Sequence, residues 1–443
     1  MNNPELRRYA WLELGLHRLV AVPVVLGALA AAIMAISGNP FAALAAASLA
    51  VFSIITLGWG TMQAYASVID EVRDRTWDFQ RMAAMGPHAL AAGKVLGAPL
   101  LSWYIGAWCL VIYGLAGWRA GLPHLPQTLV GVVAAALMAH ALAVAASALA
   151  ARTALGVRSR RFGGVLLMLM LLWTLPSLMS LGERDAAGSQ TVGWWFLREI
   201  SVAGFLSLNA VMFAAWAGFA AWRAMARELR EPAWWWGWPA FAAFIALWLL
   251  GLQVPGLPRV GLAEALAAAA AVLVLAGYLG LSLDPVTSVS WARLARLAAR
   301  GDSPWHQRVP QWVIHALAAL AAGALAALWK VADTSLTPQG AAAPMSLALA
   351  LMMLRDAAIV TCFSLTTRVR KPIALAAFYI AVADVLAPLL ASAFGQDALA
   401  RAAFPFLGAD LHRFYPAMGM AAHLAIVLAV LGWRLRARRA ARA

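Results

Sequence analysis

Very few side chains in this sequence have the chemistry to bind or transfer anything. Arg355 and Asp356 fall near the middle of one apolar run, and Asp384 near the middle of the next. Ionisable groups at that depth are costly and normally face a bundle interior or a cavity, in pairs. Arg355 is therefore expected to pair with Asp384 across two helices, as a clamp or as part of a substrate path. His140 and His423 stand alone in apolar runs, the pattern of packing histidines. Cys109 and Cys362 also lie inside apolar runs, so neither a disulfide framework nor a thiolate metal site is expected. The sequence has no HExxH, no recognisable pair of catalytic carboxylates and no Ser/His/Asp grouping. Gly86 and the Gly93-Lys94 pair imitate a phosphate loop. Six residues separate the two glycines and Val95 follows the lysine, whereas that loop needs four residues and then a Ser or Thr. No metal, nucleotide or other cofactor is expected on this chain.

One hydrophilic stretch stands out. It opens Glu71-Val-Arg-Asp-Arg-Thr-Trp-Asp-Phe-Gln-Arg, passes Gly86-Pro87 and closes at Gly93-Lys94. It is charged, helix-prone and bounded by Gly-Pro. Glu71, Asp74, Asp78 and Arg81 recur at helical spacings that put several on one side, and Trp77 is placed to be a buried interface anchor. Charged residues on such a face set partner choice and orientation. The plainer alternative is a solvated loop that only orients the chain in a membrane.

The elements that must position these residues are read from composition. Of 443 residues, 63% are hydrophobic and 12% charged. Soluble domains carry about 45–50% and about 25%, so the solvent of this chain is lipid. Apolar stretches of about 17–25 residues have the length of a membrane-spanning helix, and helices satisfy their own backbone in lipid. Twelve spans are expected: 20–37, 41–69, 91–117, 127–150, 163–181, 200–222, 234–253, 261–283, 312–330, 345–366, 373–394 and 417–433. The fold class is thus all-α, a polytopic helical bundle in a 6+6 arrangement. Residues 1–230 form the first six-span half and residues 231–443 the second. The chain is basic, with a net charge of +15. Lys and Arg in the expected loops number 26 on the side of the termini and 7 on the other. That split places both termini in the cytoplasm of an inner-membrane protein and explains the charge without nucleic acid. The 21 tryptophans cluster near span ends, as in an aromatic belt. Outer loops 182–199 and 395–416 are long enough for short interfacial helices.

With the hydrophilic stretch set between the second and third spans, residues 71–94 resemble the cytoplasmic coupling segment of the ABC type-2 transporter permease family. In that family a Glu opens the segment and a Thr follows five positions on. An acidic residue comes two after the Thr, and Gly-Lys closes the segment at the head of the next span. Glu71, Thr76, Asp78, Gly93 and Lys94 hold those places in one ungapped register. The basic stretch 5–18 resembles the family's interfacial elbow helix. There are departures. Arg75 stands where the family has a Gly before the Thr, Gln80-Arg81 replaces a leucine pair, and Ala84 stands where a proline falls, with Pro87 nearby.

The resemblance implies the membrane-spanning permease subunit of an ATP-driven transporter, most often an exporter. The chain itself is then no enzyme, and ATP is used through a separate cytoplasmic ABC ATPase subunit. The expected coupling residues are Glu71, Asp74, Thr76, Trp77, Asp78, Arg81, Gly93 and Lys94. Loop 284–311 does not match the motif. Its Trp291, Leu294, Leu297 and Ala298 face opposite Arg293, Arg296 and Arg300, the pattern of a helix on the anionic inner leaflet or of a degenerate second docking helix. Either both halves form one pore or two copies assemble, and the unmatched second loop favours a homodimer through the first halves. Two other readings stay open. One is an ion-driven carrier using Arg355, Asp356 and Asp384. The other is a lipid or glycan enzyme using Glu183, Asp185, Asp397 and Asp410 in outer loops.

Overall fold

The computed structural model describes residues 3–83, 85–151, 191–231, 234–253, 258–283, 296, 297, 299, 309–332, 342–365, 372–396 and 415–440. The expected span 163–181, outer loop 395–416 but for its first two and last two residues, and loop 284–311 but for Arg296, Leu297 and a few others fall outside those residues. The structure is predominantly helical, and among the described residues ten helices are long and apolar enough to cross a membrane. The chain divides into two compact units, Met1–Trp234 and Trp235–Ala443, apart from a short exchange at residues 254–256.

The first unit begins with α1 (Pro4–Glu13) and α2 (Leu16–Ile36). No residue of α2 is buried. A helix this apolar with its sides uncovered needs hydrocarbon around it. α3 (Pro40–Arg73) runs four residues beyond the expected span and carries a π-helical turn at Ser53–Trp59. Next come the short helices α4 (Trp77–Met82) and α5 (Pro87–Ala92). A second π turn at Gly93–Gly97 then leads into α6 (Leu100–Arg119), followed by α7 (Leu125–Ala151). α8 (Val202–Glu228) packs along α7. Their shared seam is built from Ala141, Val144, Ala148, Ala217, Ala221 and Ala224. Small residues let helices approach closely in lipid, where packing rather than water exclusion holds them together.

Outer loop 182–199 is long enough for a short interfacial helix. Its described part instead forms an antiparallel hairpin, β1 (Thr191–Trp194) with β2 (Leu197–Ser201). The β-branched Thr191, Val192 and Ile200 lie in the paired strands, which favour them. Trp195 takes a left-handed conformation at the turn.

The second unit contains α9 (Gly237–Gly251), α10 (Leu262–Leu283), α11 (Gln311–Ala332), α12 (Ala342–Ser364), α13 (Pro372–Ala381), α14 (Ala387–Ala393) and α15 (Tyr415–Ala440). α9 is 15 residues long, short of the 20 or so that cross a bilayer untilted. A third π turn, Val382–Leu386, joins α13 to α14. α12 is the hub and packs against α10, α11, α13 and α15. Ala269, Ala316, Ala350 and Ala357 line its core. At Gly323 a Cβ would come within 3.0 Å of the Leu347 backbone, so the crossing of α11 over α12 leaves no room for a side chain.

Four helices end the same way. At Arg75, Gly121, Arg230 and Gly395 the backbone turns left-handed. The next N–H then bonds back to a carbonyl in the last turn, as Thr76 N does to Glu71 O at 2.9 Å. This is the Schellman close, whose left-handed position normally takes glycine.

The crossing at Gly323 gives the first prediction. Gly323→Ala pushes backbone against backbone and costs about 1–3 kcal/mol. The thermal midpoint of the purified protein falls by several degrees. An unchanged midpoint would show that α11 and α12 separate freely.

Candidate functional site

The hydrophilic stretch does not project as one helix. α3 carries Glu71 in its last turn and closes at Arg75. Arg75 has a positive φ of 58°, a conformation that glycine adopts most readily. Thr76 seals the same end, with its N–H and its hydroxyl both donating to Glu71 O.

Around this close a buried ion network assembles. Lys94 has no solvent exposure. Its Nζ donates to Glu71 Oε2 at 2.5 Å, to Ser67 O at 3.2 Å and to Glu5 Oε1 at 3.4 Å, and it lies 5.3 Å from the ring centre of Trp77. Glu71 Oε1 accepts from Arg8 Nη2 at 2.7 Å and from Gln80 Nε2 at 2.6 Å. Arg8 Nη2 also reaches Glu5 Oε1 at 2.7 Å. Two cations and two carboxylates thus cancel, which burial demands. Partial burial works against the Arg8 charge, but Glu5 and Glu71 outweigh it and hold its pKa above the usual value. Burial, followed by the negative Glu71 and Glu5, pushes the neighbouring Tyr9 phenol upward, so Tyr9 stays neutral.

Two glycines make the network possible. A Cβ on Gly93 would lie 2.5 Å from Glu5 Cγ, and one on Gly97 would lie 2.7 Å from the Tyr9 ring. The π turn Gly93–Gly97 is thus a seat on which α1 rests directly. Asn3 caps α1 through Glu5 N and Leu6 N, and its side chain donates to Ala89 O at 2.7 Å. α1 is tied at both ends of its first turn to the segment that α3 introduces.

The expected coupling residues therefore separate into two sets. Glu71, Trp77, Gly93 and Lys94 converge inside the unit, and the exposed Thr76 closes the helix end beside them. Trp77, expected as an anchor for another protein, is already buried against Lys94, and Glu71 is spent on the network. Asp74 and Asp78 face outward. Arg81 turns back, donating from Nε to Glu228 O at 3.0 Å, where a cation suits the carbonyl end of α8. Phe79 and Met82, not singled out in the sequence, are 72% and 74% exposed. Glu5, Arg8 and Gln80 were also missed. The Glu5/Arg8 spacing of three on an N-terminal helix was the available signal.

The second unit holds the intramembrane charges together. Arg355 Nη2 lies 2.7 Å from Asp356 Oδ1 and 2.7 Å from Asp384 Oδ1. Tyr278 donates its hydroxyl to Asp356 Oδ2 at 2.6 Å, and Arg355 Nη1 approaches Met420 Sδ at 3.8 Å. Asp384 sits on the third π turn. Tyr278 carried no sequence signal, because a tyrosine in an apolar span is ordinary. His140 is a buried packing group bonded through one ring nitrogen, its Nδ1 having no partner among the described residues. Its Nε2 bonds Thr56 O at 2.8 Å beside the first π turn, with Trp103 edge-on.

Comparison with known proteins finds no matching family model, no matching curated protein and no matching solved structure.

The first network predicts a sign reversal. Lys94→Met strands a buried carboxylate and costs about 3–5 kcal/mol, seen as a lower thermal midpoint or lost folding. Lys94→Met combined with Glu71→Gln restores charge balance and recovers much of that loss. A double variant that is less stable than the single would refute the balance.

Proposed function

We propose that this chain is the membrane-spanning permease subunit of an ATP-driven transporter of the ABC type-2 kind, working as an exporter with a separate cytoplasmic ATPase. Five residues in the register of that family's coupling segment support the reading, and the charge split of 26 to 7 supports cytoplasmic termini. The ten long apolar helices agree with ten of the twelve expected spans, and the reading takes the shorter Gly237–Gly251 and the expected 163–181 as the other two, six in each half.

The observation that carries the proposal is the Lys94 anchor. It fixes the end of α3, the short α4 and the head of the next span as one piece, with α1 as its brace. A push on α4 then reaches two membrane helices without being absorbed by a soft loop. The face turned away from that anchor offers Phe79 and Met82 with Asp74 and Asp78 beside them. Exposed large apolar side chains rimmed by charge are the composition of an interface centre. The docking contacts are therefore Phe79 and Met82, with the acids setting orientation. Glu71, Trp77 and Lys94 serve as the internal strut.

The variant Phe79→Ser with Met82→Ser leaves every buried contact of the strut in place. Its affinity for the partner ATPase falls at least ten-fold, about 1.4 kcal/mol or more, and ATP hydrolysis by the reconstituted pair falls with it. Membrane insertion and thermal midpoint stay at the parent values. Full coupled hydrolysis in this double variant would contradict the docking assignment.

A further inference from the structure

The charges of the second cluster do not cancel. Arg355 contributes one positive charge against the two carboxylates Asp356 and Asp384, and all three side chains are at least nine-tenths buried. Asp356 takes most of what the donors offer. Its Oδ1 accepts Arg355 Nε at 2.9 Å and Nη2 at 2.7 Å, and its Oδ2 accepts the Tyr278 hydroxyl. Asp384 is served by a single donor group, Arg355 Nη2, which it shares with Asp356 and which lies 2.8 Å from its Oδ2 and 2.7 Å from its Oδ1. Among the described residues one negative charge is left over inside helices that have the length and apolarity of membrane spans. An uncompensated carboxylate at such depth is strongly unfavourable, so a counter-charge belongs there.

Among the described residues, few other titratable groups on the packed helices adjoin the cluster, and the cation Arg434 of α15 is directed instead at Cys362 O and the Phe363 ring of α12. His423 of α15, one turn beyond Met420, interacts electrostatically with Arg355 and Asp384. His315 of α11 faces Trp238, and Tyr379 of α13 faces Phe363. The backbone adds its own sign. Asp384 lies on a π turn, a local widening that often marks functional positions. Its neighbours Val385 and Leu386 are 57% and 49% exposed, so the turn directs the one acid inward. We propose that this cluster is a binding site for one monovalent cation, a proton or a sodium ion, held at Asp384 and completing the charge of the Arg355–Asp356 pair. Occupancy then decides whether the helix pair α13–α14 stays latched to α12. The inference stands apart from the ATPase assignment, since it concerns the other unit and would hold for a carrier of any class.

The test uses the full chain in nanodiscs and reads its thermal midpoint from mildly acidic to alkaline pH, in sodium or choline chloride. If the cation is a proton, the parent midpoint falls as pH rises, equally in both salts. If it is sodium, sodium but not choline restores the alkaline midpoint. In either case Asp384→Asn removes the excess charge and abolishes the dependence. Asp356→Asn brings the same charge to zero, loses the same dependence and keeps the test alive should Asp384→Asn fail to fold. Glu199→Gln, exposed on β2, keeps the parent behaviour. A pH and salt dependence unchanged in both Asp384→Asn and Asp356→Asn would overturn the site. So would one removed by His423→Gln but kept in Asp384→Asn.

Discussion

Lys94 has no contact with water, and the first unit is arranged around keeping its charge paired. A buried ammonium is tolerable only with its counter-charges and hydrogen bonds in place. Glu71, Glu5 and the Ser67 carbonyl supply them, and Arg8 balances the second carboxylate. That requirement dictates where α1 lies, why positions 93 and 97 are glycine, and why α3 ends at Arg75. Once these are fixed, α4 has one place to go. Its inward residue is Trp77, and Phe79 and Met82 are left outside. The electrostatic demand of one lysine thus produces an exposed apolar face at a fixed position.

The same theme recurs along the chain. Three π turns are present among the described residues, and each adjoins a buried polar group: Thr56 with His140, Lys94, and Asp384. A regular α-helix consumes its own carbonyls. A π turn leaves some of them free and shifts the register of the side chains that follow. In a bilayer, where no water is at hand to satisfy a stray group, this is an inexpensive way to bring a polar side chain to an inward position. The Thr56 carbonyl that His140 uses lies within such a turn.

Hydropathy made much of the helical architecture legible, because span length is set by bilayer thickness and needs no tertiary information. The rarity of charges in apolar runs likewise singled out Arg355, Asp356 and Asp384, which the structure gathers at ion-pair distance. The inward side of the hydrophilic stretch was not legible. Glu71 and Trp77 sit at the end of a long apolar helix, where a sequence gives no sign of whether a charged stretch turns toward water or toward a partner 63 residues away. Glu5 and Arg8 are that partner for the Glu71–Lys94 pair. Their distance in sequence hid them, though their spacing of three did not. The hairpin Thr191–Ser201 was missed for a related reason. Its strands are too short to show an alternating pattern against a background of aromatic and apolar residues.

The account rests most heavily on the outward face of α4 being a seat for an ATP-hydrolysing protein. The direct measurement is photocrosslinking in native membranes from a photoreactive residue placed at position 79, with the same residue at Ile36, also exposed but at the far end of α2, as control. The account predicts one protein adduct from position 79, a nucleotide-binding polypeptide, and none of it from position 36. Adducts from position 79 with lipid alone would place α4 in the membrane surface and contradict the account.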